Sequence, residues 1–200
     1  MRTISVLLAL FLIIGCNRDS GQPAKGEKGK PSAKKAPVLP DEPVDPLAAE
    51  ISAMTPVEPV DPGKLEPFLP ATLAGYGMEE LASATIDFGE SKRSFARRKY
   101  LNHGYYVIID IHDAARIPNL YGDIAAAAGK SDETPEGHQK GVTIDGNPGC
   151  EKYDKLKLTG ELSVMVAKRF IVTIESNYIT AEALRKVYDG IDVKGLAALK

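Results

Sequence analysis

The run Tyr105-Tyr106-Val107-Ile108-Ile109-Asp110-Ile111-His112 constrains this chain more than any other segment. It has no glycine or proline and is dense in β-branched and aromatic residues, which suit a pleated, half-buried surface. Strand alternation sends Tyr105, Val107, Ile109 and Ile111 one way and Tyr106, Ile108, Asp110 and His112 the other. The segment reads as a central strand. A second alternating stretch supports it: Leu162, Val164 and Val166, a turn at Lys168-Arg169, then Phe170, Val172 and Ile174. That pattern predicts a hairpin with one buried face. Weaker strands are expected over 81–88, 95–100, 141–144 and 151–158.

Two helices interrupt the strands. Pro118 suits a first turn, Tyr121, Ile124, Ala125 and Ala128 share one face, and Gly129 can end the helix. Thr180 can cap a second helix whose Leu184, Val187, Tyr188 and Ile191 form a stripe, followed by a short tail over 193–199. Short turns between strands imply antiparallel pairing. The expected fold class is α+β: an antiparallel β-sheet of about six or seven strands covered by two main helices.

Composition sets the outer limits. Nine of the fourteen prolines lie between residues 17 and 62, where apolar residues are sparse. Such a segment buries too little apolar surface to offset its ordering entropy, so it is expected as a disordered tether. Its charge is segregated, with Arg18, Lys25, Lys28, Lys30, Lys34 and Lys35 preceding Asp41, Glu42, Asp45, Glu50, Glu58 and Asp61. A coil of that length spans about 40 Å. Leu47–Met54 has the pattern for two helical turns, marginal in isolation. Leu65-Glu66-Pro67-Phe68-Leu69-Pro70 opens the globular part, whose apolar residues dock on the core.

Ahead of the tether, Met1-Arg2-Thr3 is a short positive start and Ile4–Ile14 an apolar run ending in Gly15-Cys16. The run is a secretory signal, too short to span a membrane. Its end, Ile13-Ile14-Gly15-Cys16, resembles the bacterial lipobox, which implies that Cys16 is acylated and becomes the mature N-terminus. Two or more acyl chains anchor a protein durably. Asn17 at the following position implies, by analogy with enteric lipoproteins, sorting to the outer membrane facing the periplasm. The expected division is a lipoprotein signal peptide at 1–15, a lipid-anchored Pro- and Lys-rich linker at 16–62 and a globular domain at 63–200.

The Pro-flanked Phe68-Leu69-Pro70 start, the strand ending Ile109-Asp110-Ile111-His112-Asp113, the turn Asp145-Gly146-Asn147-Pro148-Gly149, the strand Arg169-Phe170-Ile171-Val172 and a last helix running into Ile191-Asp192 carry a resemblance. Together they resemble a family of small bacterial envelope lipoproteins of unassigned activity. The element order is similar to the PsbP-like fold, a helix-covered antiparallel sheet used for docking to protein partners. The resemblance implies a fold and a mode of action by contact rather than a reaction.

Candidate sites are few. Lys92, Arg93, Arg97, Arg98 and Lys99, interleaved with Phe95 and Tyr100, form the densest basic patch. In an exported protein it would meet anionic lipid, cell-wall carboxylates or an acidic partner; the competing reading is an edge strand guarded against aggregation. Asp110, His112 and Asp113, with His103 nearby, are weak metal candidates, because imidazole and carboxylate at i and i+2 share a strand face. No spacing of His or Cys completes a ligand set, and no metal or other cofactor is expected. With Cys16 acylated, Cys150 is the only other cysteine, so no intrachain disulfide forms. It reads as a buried hydrophobe, with a reactive thiol or an intermolecular bridge as the sharper alternatives.

No Gly-x-Ser-x-Gly elbow, Gly-x-Gly-x-x-Gly or Walker motif is present. The expectation is therefore a non-catalytic binding or scaffolding module, tied to the membrane through Cys16, with an envelope protein or the cell wall as partner and no nucleic acid. The alternative is a carrier of a small apolar ligand or lipid in a cavity lined by Tyr105, Tyr121 or Tyr188. A metal-dependent enzyme is the third reading.

Overall fold

The computed structural model describes residues 45–89 and 91–200. The expected signal peptide, Cys16 and most of the expected linker lie outside the described residues. A single eight-stranded antiparallel sheet organises the body, in the order β1-β2-β3-β8-β7-β6-β5-β4. Its strands are β1 (Gly77–Asp87), β2 (Lys92–Asn102), β3 (Tyr105–Asp113), β4 (Ser131–Thr134), β5 (Gly137–Ile144), β6 (Asn147–Asp154), β7 (Thr159–Val166) and β8 (Phe170–Asn177). The chain runs out through β1–β3, crosses one face to the far edge, and returns through β4–β8 until β8 pairs with β3.

The α+β class and the antiparallel pairing are as the sequence predicts, but the sheet has eight strands rather than six or seven. The extra strand is β4, whose Ser-Asp-Glu-Thr is exposed at every position. With no side chain to bury, it leaves no alternation to read; its pairing with β5 holds it in place. The β7–β8 turn occupies residues 167–169, with Ala167 and Lys168 at φ of 52° and 53°, one residue earlier than expected. At the β2–β3 turn His103 (φ 47°) and Gly104 (φ 90°) are both left-handed, as a tight hairpin matching strand twist requires.

Each face of the sheet carries its own core. On the first face Ala96, Tyr100, Val107, Ile109, Ile111, Leu162, Val164, Val172 and Ile174 are buried beneath two helices, α3 (Ala181–Asp189) and α4 (Val193–Ala197). Thr180 caps α3 through a hydrogen bond from the Ala183 N–H. Leu65 and Leu69, from the Pro-flanked opening, complete this core, and Arg98 and Tyr100 donate to the carbonyl of Pro70.

Among the described residues the second face is covered only at its β6–β7 side. There the crossover forms a 3-10 turn (Pro118–Tyr121) and the helix α2 (Gly122–Ala127), and buries Tyr121, Ile124 and Ala127 against Cys150, Met165 and Ile171. An N-terminal helix, Pro46–Ser52, adds Ile51 to the same cluster; it is α1, with Asp45 accepting from Leu47 N–H as its cap. The packed body therefore begins near residue 45 rather than at 63. Val57 N–H donates to the Ala115 carbonyl, and Val60 is buried with its N–H on Asp113. Proline content and polarity alone hid this, because Ile51 and Val60 gain their partners only from the folded crossover and β3. No described helix is long and apolar enough to cross a membrane.

Candidate functional site

Strand register arranges the second face into rows. One row runs Phe95, His112, Ile171 and Met165; the next runs Arg97, Asp110, Thr173, Ser163 and Cys150; the third runs Lys99, Ile108, Glu175, Glu161 and Lys152. The apolar ends of the first two rows, at Cys150, Met165 and Ile171, lie under α1 and α2. Between α2 and β2 no described element covers the polar part, which forms a groove of about 400 Å³. Arg93, Arg97, Asp110, His112, Glu161 and Glu175 contribute its charged and titratable walls, with Asp123 on the α2 rim.

Asp110 is 2% exposed and accepts from Arg97 Nε at 2.7 Å. The burial would be costly for a lone carboxylate; the guanidinium offsets it and is itself fixed in orientation. His112 Nε2 lies 3.9 Å from Asp110 Oδ1, and His112 Nδ1 is buried with no hydrogen-bond partner among the described residues. Burial pushes the imidazole pKa down, so His112 is neutral at pH 7. Arg93 lies over the Phe88 ring at 5.4 Å, and its Nε is likewise buried without a partner.

Glu175 and Glu161 are direct cross-strand neighbours, an arrangement that like charges oppose. Lys152 relieves Glu161 at 3.6 Å while donating to Asp123 at 2.7 Å. Among the described residues Glu175 has no ion-pair partner. Burial, then the charges of Glu161 and Asp110, raise its carboxyl above the ordinary carboxylate value. Between the acid pair and the covered end, the hydroxyls of Ser163 and Thr173 are 3.0 Å apart.

Strand alternation divides the expected basic patch. Arg93, Arg97 and Lys99 lie on the grooved face, but Arg98 points to the other and donates to the carbonyls of Leu69 and Pro70. Lys99 pairs with Glu79 at 2.7 Å and Lys92 with Asp87 at 3.7 Å. The edge-guard reading fails for a topological reason: β1 covers β2, so β2 is an inner strand. The weak metal candidates also separate. Asp110 and His112 face the groove, whereas Asp113 faces away and is held by Arg169. Among the described residues no group of three His, Cys, Asp or Glu is placed to hold a metal ion.

Cys150 is buried at the covered end, and burial raises its thiol pKa. Tyr105, Tyr121 and Tyr188 do not share a cavity. Tyr121 sits in the core of the second face, Tyr188 in that of the first, and Tyr105 stacks on Tyr178 at the surface. The groove residues that the sequence reading passed over are Glu161, Ser163, Thr173 and Glu175. Their signal was present in the hairpin: they occupy the alternate positions between its buried apolar residues. No family model, no curated protein and no solved structure matches the chain.

Proposed function

We propose that this chain is an exported lipoprotein, anchored through acylated Cys16 at the outer membrane of a bacterial envelope and facing the periplasm. Its domain acts there as a non-catalytic binding or scaffolding module. The resemblance to small envelope lipoproteins with a PsbP-like domain supports an envelope protein or cell-wall component as the partner. The observation that carries the reading is the half-covered sheet. One end of the second face is sealed by α1 and α2, and the other is left as a charged groove on inner strands. Side chains on paired inner strands are held in place by the ladder, and such rigidity favours recognition by limiting the entropy lost on binding. With the packed body beginning near residue 45, the remaining tether gives the groove a reach of about 30 Å from the membrane.

The test is photocrosslinking in the native envelope, with a benzophenone amino acid at Asn119 on the groove wall and, as control, at exposed Leu156 in the β6–β7 turn. A discrete adduct from Asn119 and none from Leu156 is expected. Equal labelling from both positions would refute binding through the groove. In the same strain Cys16→Ser should abolish incorporation of labelled fatty acid and release the protein from the membrane fraction; retained label would refute the anchor.

A further inference from the structure

The groove's charges are unequally matched, and the mismatch describes a ligand. Arg97 is committed to Asp110 through Nε alone. Its two Nη groups donate to no described residue, and the side chain is 49% exposed. A guanidinium fixed at one edge presents the other as a planar fork for a carboxylate. Arg93, with its unpartnered Nε, adds a second positive group to the same wall.

One row along, the situation is reversed. Glu161 and Glu175 face each other, and among the described residues the only ion pair either makes is that of Glu161 with Lys152, which is shared with Asp123. Taking the settled pairs Arg97–Asp110 and Lys152–Asp123 as neutral leaves Arg93 positive and both glutamates negative. Among the described residues Glu175 thus has no ion-pair partner and Glu161 has only a share of Lys152, although Arg97 is near enough to act on Glu175 electrostatically. A primary ammonium has three donors and suits two carboxylates at once.

We infer that the groove binds a small amino-carboxylate zwitterion, its ammonium between Glu161 and Glu175 and its carboxylate on the Nη groups of Arg97. This assignment rests on the reading of the groove as the binding site and adds the chemical class. Arg97 and Glu175 stand on adjacent rows and are two strands apart, which strand spacing converts to about 12 Å between their backbones. Both side chains line the groove, whose volume of about 400 Å³ accommodates a short linear ligand. A dication of the same length would meet Arg97 and Arg93 at one end. A dianion would meet the glutamate pair at the other.

Three linear six-carbon compounds separate these cases: 6-aminohexanoate, 1,6-hexanediamine and adipate, titrated calorimetrically into the full chain in detergent. The zwitterion is expected to bind at least tenfold more tightly than either symmetric compound. Glu175→Gln should weaken 6-aminohexanoate and hexanediamine but not adipate. Arg97→Lys keeps a positive partner for Asp110 while removing the fork, and should weaken 6-aminohexanoate and adipate but not hexanediamine. Circular dichroism and a thermal melt confirm that both variants fold. Affinities within threefold of one another, no binding of any compound, or a folded Glu175→Gln with unchanged affinity would overturn the assignment. If Asn119 still gives a specific envelope adduct in that case, the ligand class is wrong and the binding module stands.

Discussion

Asp113 is a side chain on which three separate segments depend. It is fully buried and accepts from the N–H groups of Val60 at 2.8 Å and Ala115 at 2.9 Å. Arg169 grips it from the β7–β8 turn, with Nη2 at 2.7 Å and Nε at 3.0 and 3.1 Å from its two oxygens. Arg169 Nη2 also donates to the Glu58 carbonyl, so one ion pair fastens the N-terminal strap to the ends of β3 and β8. Asp113→Ala would orphan two backbone donors and leave a guanidinium that is only 14% exposed without its counter-charge. Breaking one partner of a buried pair costs about 3–5 kcal/mol. Lost hydrogen bonds to a charged acceptor are worth about 1.5–3 kcal/mol each, but these overlap with the pair because one carboxylate serves all of them. The expected loss is about 4 kcal/mol, which for a domain of this size lowers Tm by about 8–16 °C.

Scanning calorimetry measures that loss, and hydrogen exchange at the Val60 amide reports the strap directly. The double variant Asp113→Ala/Arg169→Ala should be no less stable than Asp113→Ala alone, since it also removes the stranded cation. A loss below about 1 kcal/mol, with the Val60 amide as protected as in the parent, would refute the reasoning.

Two glutamates should show opposite pH behaviour. Burial pushes Glu151 up, but hydrogen bonds from Arg185 and His138 and the charge of Lys140 more than offset it, so its folded pKa is depressed. Its contribution is present above the ordinary carboxylate value and is lost as pH falls through the folded value, so Glu151→Gln should destabilise at neutral pH and progressively less in acid. Glu175 is raised, so its cost appears as pH rises through its folded value. Glu175→Gln should increase Tm above pH 7 and match the parent near about pH 3.5, and a Tm gain independent of pH would exclude the charge explanation. At Gly141 an added Cβ would lie 2.4 Å from the Ala127 carbonyl oxygen, where β5 passes the end of α2. Gly141→Ala should cost about 1–3 kcal/mol in urea unfolding, and an unchanged midpoint would show that α2 shifts freely. Cys150 should react with a thiol reagent only on unfolding, and rapid labelling of the native protein would contradict its burial.

Much of the local structure was readable from residue order. The alternation in β3 sorted Val107, Ile109 and Ile111 from Asp110 and His112, and Thr180 marked the start of α3. Positions without a buried side chain were silent, which is why β4 escaped. The basic run at 92–99 read as one patch because charge counted along a chain ignores the side to which alternate residues point.

The sequence by itself determined which side chains of each strand share a face and where the main helix begins. Those are short-range matters, set by a backbone repeat of two or 3.6 residues and by the chemistry of a few neighbours. Tertiary structure decided that β8 lies beside β3 and that β1 covers β2. It also decided that Ile51 packs with Tyr121, so the fold begins near residue 45. The groove belongs wholly to this second class. Arg97, Asp110, Glu161 and Glu175 come from four strands of both meanders, and only the β3–β8 pairing brings them together. Periodicity records the face on which a residue lies, whereas its neighbours on that face depend on contacts between strands distant in sequence.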